Sequence, residues 1–452
     1  MAKSNTKDMS VGSPTKLIIG FAFPLLLGML FQQIYGLMDT VIVGRFLGVS
    51  ALAAVGSTGS INFFIVGFCL GVCNGFALPI AQQFGAKQYD NLKKYVGNSA
   101  ILSVIIAIVM SVVTVILCRN ILIWMQTPDD IIDQAYNYIV VIFIGIPATM
   151  LYNLLSGYLR SLGNSTAPLV FLVISAFLNI FLDILFITTF NMGVFGAALA
   201  TVISQLISGL LSLLYIALKV ELLHPCRNDW TLSSTHVKNL LYMGFPMGFQ
   251  YSITAIGSVV LQTAVNTLGS TAVASMTAAS RITMFASCPY DALGSTMATY
   301  GGQNVGAGTL DRLKKGISSS GIIGTIYSAL ALITIYLFGK NMVGLFVDAR
   351  EVVVIDQAYE FLVINAAFYL LLLYVNVVRF MIQGMGFSGF AMFAGIAEMI
   401  GRGLIALVFV PIFGFRAACF ASPLAWLFAD TFLFPAFFAM VKKLERQQKA
   451  DA

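Results

Sequence analysis

Charge is what this chain has least of. Only 10% of its 452 residues are Asp, Glu, Lys or Arg, and 59% are hydrophobic. A soluble protein carries roughly 25% charged residues, so the balance excludes a large water-soluble core and fits a polytopic membrane protein. Histidine occurs twice, His224 and His236, in one polar stretch without other ligands. Two solvated imidazoles there give neither a metal centre nor the cluster of His, Asp or Cys that an integral membrane enzyme would need. The six cysteines (69, 73, 118, 226, 288, 419) have no framework spacing, and Cys69 and Cys73 share a helix face as small packing residues. The longest interior polar stretch, 219–238, is too short for the sensing or signalling region of a receptor. The net charge of +6 resides in loops, so it does not mark a nucleic-acid surface.

What is present is apolar runs. The first, 17–44, is bounded by Lys16 and Arg45 and would reach ~42 Å as a helix, against a ~30 Å hydrocarbon layer. It is too long for a signal-peptide core and is read as a retained span. Twelve such runs are expected near 17–44, 52–81, 95–118, 134–159, 166–190, 194–218, 239–265, 272–301, 317–339, 357–383, 389–411 and 417–441. The predicted fold is all-α and integral to the membrane: twelve transmembrane helices in two pseudo-symmetric six-helix bundles around a central cavity. The expected divisions are 1–218, a cytoplasmic linker 219–238, 239–441, and a cytoplasmic tail 442–452.

With the N-terminus inside, eighteen basic residues, Arg379 among them, fall on the inner side. Five (Arg45, Arg119, Lys340, Arg350, Arg416) fall outside, and Arg281 and Arg402 lie within spans. This asymmetry predicts both termini in the cytoplasm of a multi-pass cell-membrane protein.

The halves repeat. Gly85-Ala86, Asp90 and Leu92-Lys93-Lys94 return as Gly306-Ala307, Asp311 and Leu313-Lys314-Lys315, an offset of 221. Leu47-Gly48 returns as Leu268-Gly269, Pro24 as Pro246, and Asp133-Gln-Ala-Tyr136 as Asp356-Gln-Ala-Tyr359. Shared features serve the scaffold; unshared polar residues inside spans are candidates for chemistry. Asp39 has Val260 or Leu261 as its counterpart, Asp183 has Ala406, and Asn179 has Arg402. Spans one and five both run outward, which puts Asp39 and Asp183 at similar depth, with Asn179 one turn from Asp183. Ionisable groups at membrane depth are costly, and two converging carboxylates demand a proton or a cation, giving an H⁺ or Na⁺ site. Glu398 and Arg402, at i and i+4, read as a neutralising pair. Asp430 reads as a packing or loop-contacting acid, and Gly67, Gly71 and Gly75 mark a close helix approach. Arg281 and Asp291, beside Pro289, either line the cavity or pair with neighbouring spans.

Several stretches together resemble the multidrug and toxic compound extrusion (MATE) transporters across 15–440: Pro24 with Tyr35-Gly-Leu-Met-Asp39-Thr-Val-Ile-Val-Gly-Arg45, Ala51-Leu-Ala-Ala-Val-Gly56, Gln83-Phe-Gly-Ala86, Asn179 with Asp183, and Gly193-Val-Phe-Gly-Ala-Ala-Leu-Ala-Thr201. The resemblance implies cation-driven export of amphipathic, often cationic, drugs. It implies a coupling site at Asp39, Asp183, Asn179, Tyr35 and Thr201, with Pro24 bending the first helix. No acid occurs between Asp229 and Asp291 or between Glu360 and Glu398, which favours the DinF-like branch over a NorM-like one. Candidate cavity residues are Gln32, Gln33, Met38, Gln250, Arg281 and Asp291. No cofactor is expected beyond the coupling ion, and no metal beyond Na⁺ at Asp39 and Asp183. The expected partners are small organic substrates and the bilayer, without nucleic acid, and the expected state is a monomer. The alternative is a flippase of lipid-linked or amphipathic metabolites. A major-facilitator transporter also has 6+6 spans, but the 83–94 loop lacks its signature.

Overall fold

The computed structural model describes residues 6–451, and every regular element among them is a helix. Chain order begins with α1 (Pro14–Leu47), α2 (Val49–Ser57), α3 (Gly59–Gly85), α4 (Tyr89–Trp124), α5 (Ile132–Ile144), α6 (Ile146–Ser161), α7 (Thr166–Ile184) and α8 (Gly193–Lys219). It continues with α9 (Ser234–Asn266), α10 (Ser270–Gly306), α11 (Asp311–Val343), α12 (Val352–Ala367), α13 (Tyr369–Gly384), α14 (Ser388–Leu404), α15 (Val410–Phe413), α16 (Phe415–Cys419) and α17 (Ala421–Asp451).

Eight helical stretches are long and apolar enough to cross a membrane, and two bent pairs, α5–α6 and α12–α13, make ten. Helices α9 and α10, at 33 and 37 residues, have the length but dilute their apolar content with Gly, Ser, Thr and Gln. Together these are the twelve spans the apolar runs predict. Large apolar side chains such as Ile116, Leu210 and Leu407 stand exposed in mid-helix, as expected where the surroundings are lipid.

Spans four and ten are not the single straight helices the sequence suggests. They bend by 45° and 52°, at Gly145 and Phe368. Pro147, at the start of α6, cannot donate to the carbonyl of Phe143, and the Ser111 hydroxyl of α4 donates to that oxygen instead (2.8 Å). The second bend has no proline.

The chain forms two compact units: 1–8 with 27–248, and 9–26 with 249–452. The cuts at 26/27 and 248/249 are themselves one repeat apart, each two residues past a proline, Pro24 in α1 and Pro246 in α9. Both helices run unbroken through those prolines. Turn geometry repeats as well. Left-handed glycines pair as Gly48 with Gly269, Gly163 with Gly386, and Gly193 with Gly414. The repeat offset is thus 223 before the eleventh span and 221 after it, so the counterpart of Asp183 falls within 404–406. All three residues there are apolar.

In the first unit α3 lies along α6, α6 along α8, and α7 along α8. Gly71 and Gly75 are indeed a packing device: a Cβ on Gly75 would sit 2.5 Å from the Gly244 Cα, and one on Gly71 would sit 2.5 Å from the Met247 carbonyl oxygen. The 219–238 linker is ordered against α4, where the Asn98 amide donates to the Thr231 carbonyl and accepts from the Ser233 N–H. Its histidines, expected to be solvated, are half-buried and bonded: His236 to Asn91 and His224 to the Ile216 carbonyl. In the second unit α10 lies along α13, and α17 along α13 and α14.

Backbone approach at Gly75 leaves no room for a side chain. Gly75→Leu is expected to cost about 1–3 kcal/mol and to lower the melting temperature of the detergent-solubilised protein. Gly56→Ala, where an added Cβ meets nothing within 4 Å, is expected to leave the melting temperature unchanged.

Candidate functional site

Depth is set by the pairing of α1 with α7. A Cβ on Gly28 would lie 3.6 Å from the Leu172 side chain, and eleven residues further along each helix stand Asp39 and Asp183. Equal spacing on both helices means that they run parallel and in step, about 16 Å over those three turns. A single mismatched turn would have separated the two acids.

The carboxyls of Asp39 and Asp183 face one another at hydrogen-bonding range. Asp183 is fully buried and Asp39 half-buried. Asp39 Oδ1, both Asp183 oxygens and Asn179 Oδ1 are buried, and no described residue donates a hydrogen bond to any of them. Two carboxylates are acceptors only, so their contact needs a proton or a cation between them. Asn179 is buried, and its amide donates to the Thr201 hydroxyl of α8 at 3.4 Å. The Thr201 hydroxyl in turn donates to the Ala197 carbonyl at 3.2 Å. Tyr35, one turn before Asp39, lies in its field and beside Gln32 and Gln205. Asp39, Asp183, Asn179, Tyr35 and Thr201 therefore form one continuous cluster in the first unit.

Three members of this neighbourhood escape the sequence reading. Tyr138 of α5 is buried beside both carboxyls and Tyr35. Tyr152 of α6 lies beside Tyr35, and Gln205 of α8 bridges Tyr35 to the Thr149 hydroxyl. A signal exists for them in the repeat comparison. At the 223 offset Tyr138 corresponds to Phe361, and at the 221 offset that holds after the eleventh span Gln205 corresponds to Trp426, so the phenol and the amide are each particular to the first half.

A π-helical turn, Leu185–Thr189, follows Asp183 directly. Such turns often mark functional sites. Here Ile405–Phe409 repeats it in the second unit, so it belongs to the scaffold.

The six candidate cavity residues divide evenly. Gln32 and Met38 are exposed and Gln33 half-buried in the first unit. In the second, Gln250 is buried and accepts a hydrogen bond from Gln383 (2.6 Å), Arg281 is exposed, and Asp291 lies half-buried beside Arg379. Arg379 corrects the inner-side tally. It is not a loop residue but sits in α13 at 6% exposure, because its charge is met by Glu398. The predicted Glu398–Arg402 pair is present at 3.4 Å, with Arg379 as its third partner.

With the geometry in place, comparison with known proteins is informative. The MatE family model matches residues 24–185 and 246–412. A relative from Bacillus subtilis, the "Probable multidrug resistance protein YoeA", is 30% identical over 361 residues, covering 78% of this chain and 77% of that protein. The "FAD transporter" of Shewanella oneidensis is 23% identical over 337 residues, covering 73% and 74%. A crystal structure of MATE in complex with MaL6 superposes with a TM-score of 0.91 at 23% identity, covering 99% of this chain and all of that one, which shows the shared fold.

Because the facing carboxylates lack a donor, a single amide in place of one of them supplies it. Asp183→Asn is expected to stabilise the solubilised protein by about 1–3 kcal/mol at strongly alkaline pH, where the wild-type pair has lost the proton it shares. The gain should shrink as the pH is lowered, when a proton supplies the same donor to the wild type. Thermal melts across that pH range check both points.

Proposed function

The chain belongs to the MatE family, as a multi-pass membrane transporter and not an enzyme, and from that premise we propose that it is an antiporter exporting amphipathic, often cationic, organic compounds in exchange for H⁺ or Na⁺. The observation that carries this reading is the pair of facing carboxyls at Asp39 and Asp183, left without a donor inside an apolar bundle. Multidrug resistance is what the name of the Bacillus relative describes, and drug export is the class of transport that such a site serves.

In the proposed cycle the outward-facing pair takes up an external cation. Neutralising it removes the cost of enclosing charge away from water, which shifts the population toward drug release and then the inward-facing state. A membrane potential of 100 mV adds about 2.3 kcal/mol per charge moved, enough to drive uphill export. Asn179 and Thr201 hold the site's polar wall, and Tyr35 and Tyr138 close it with hydroxyls. The donorless oxygens of Asp39, Asp183 and Asn179 suit either a shared proton or a Na⁺ ion.

Gln32, Gln33 and Met38, on the same helix as Asp39, are assigned to substrate contact. Pro24 is assigned as the hinge: it removes a helix hydrogen bond where α1 passes from one compact unit to the other. The protein is placed in the cell membrane as a monomer with both termini cytoplasmic, because the basic asymmetry survives the removal of Arg379 from the tally.

A second reading, export of an amphipathic metabolite, is favoured by the relative named for FAD transport. Efflux assays in a pump-deleted host, with drugs and FAD as test compounds, separate the two.

Wild type is expected to export under an imposed pH or Na⁺ gradient, and the effective gradient identifies the ion. Asp39→Asn and Asp183→Asn should fall to the level of the empty host. Normal export by Asp39→Asn under every gradient would remove that residue from the mechanism. Pro24→Ala should slow turnover while substrate binding persists; unchanged turnover argues against the hinge.

A further inference from the structure

The second unit contains a buried charge cluster that the coupling cycle does not use. Arg379 of α13, Glu398 and Arg402 of α14, and Asp430 of α17 are 6%, 3%, 9% and 5% exposed. Glu398 is held between the two guanidiniums, one oxygen on Arg379 and the other 3.4 Å from Arg402 Nη2. Asp430 and the half-buried Asp291 of α10 both act on Arg379, as does Tyr251 of α9. Arg416, on the helix preceding α17, is engaged by Glu360 at 3.1 Å.

Two positive and three negative groups leave this cluster one charge short of neutrality. An uncompensated charge in such a setting costs several kcal/mol, so one further positive charge belongs there. Glu398 is doubly engaged and is the last of the three acids to need it. Asp291 is only half-buried, and its oxygens are not among the buried ones left without a partner. Asp430 has neither advantage: it is buried, and no described residue donates to either of its oxygens. A proton on this carboxyl supplies both the missing charge and the missing donor.

We infer that Asp430 is a second proton-binding site, located wholly in the second unit and charge-coupled through Arg379 to Glu398 and Asp291. Uptake forms one O–H bond on the Asp430 carboxyl and breaks one in the hydronium ion that delivers the proton, leaving water. Arg379, with one fewer anion facing it, is then left to Glu398 and Asp291. The scaffold does not require this site: positions 221–223 residues before Asp430 are Gly209, Ser208 and Ile207, and Arg379 corresponds to Ser156 at 223. The inference is independent of the export reading, since it concerns proton occupancy and not the transported compound.

The experiment is pH-difference infrared spectroscopy of the reconstituted full chain, reading the C=O stretch of protonated carboxylic acids. An Asp39→Asn/Asp183→Asn background removes the first unit's pair, so failure of the coupling reading leaves this test intact. A pH-dependent band is expected in that background, lost in Asp430→Asn and shifted in Asp430→Glu, which keeps a carboxyl if the asparagine variant does not fold. No such band in the background, or a band unmoved by Asp430→Glu, overturns the inference. Asp291→Asn removes one of the three negative groups, so the band is expected to titrate at lower pH in that variant; a band whose titration Asp291→Asn leaves unmoved overturns the charge coupling.

Discussion

Two acceptors that touch without a donor set the terms for the first unit. In water, Asp39 and Asp183 would repel and hydrate. Held by parallel helices in an apolar bundle, they do neither, and the contact persists only with a positive charge between them. The neighbouring groups follow from that constraint. Asn179 and Thr201 bond to each other, and the hydroxyls of Tyr35 and Tyr138 stand close without neutralising the pair, since a phenol brings no charge. An arginine in place of either tyrosine would have fixed the acids as a permanent salt bridge.

The second unit shows that alternative. There Glu398 is locked between Arg379 and Arg402, an arrangement that satisfies buried charge and does not invite exchange at that acid. The same fold, repeated with an offset of 221 to 223 residues, thus carries two different electrostatic solutions. What is common to both halves is geometric: left-handed glycines at matching turns, π-helical turns after the fifth and eleventh spans, and bent fourth and tenth spans. What differs is the polar content of those frames, and there the halves can acquire separate roles.

Packing explains why the frame tolerates such differences. Helices in lipid gain little from hydrophobic contact with one another, so close backbone approach carries the association. Gly71 and Gly75 provide it in the first unit, and Gly384 provides it in the second, where an added Cβ would fall 2.3 Å from the Ala298 carbonyl oxygen. Polar substitutions elsewhere on a span leave these contacts untouched. Freed backbone carbonyls are then repaired locally, as Ser111 does for Phe143 beside Pro147.

The amino-acid sequence determined the span count, the repeat, the parallel sense of spans one and five, and the singling out of Asp39 and Asp183. Each of these depends on apolar run length or on comparing one half with the other, which are one-dimensional quantities. The Glu398–Arg402 pair was equally legible, because i and i+4 share a helix face. The tertiary structure alone decided which side chains from different helices meet. It brought Tyr138, Tyr152 and Gln205 to the Asp39–Asp183 cluster and turned Arg379 from an inner-side residue into a buried partner. It also placed Asp430, read from sequence as a packing or loop-contacting acid, beside that arginine. The reason is geometric: a helix can present any face to its neighbour, and the rotation that selects one is fixed by packing contacts spread over the whole unit.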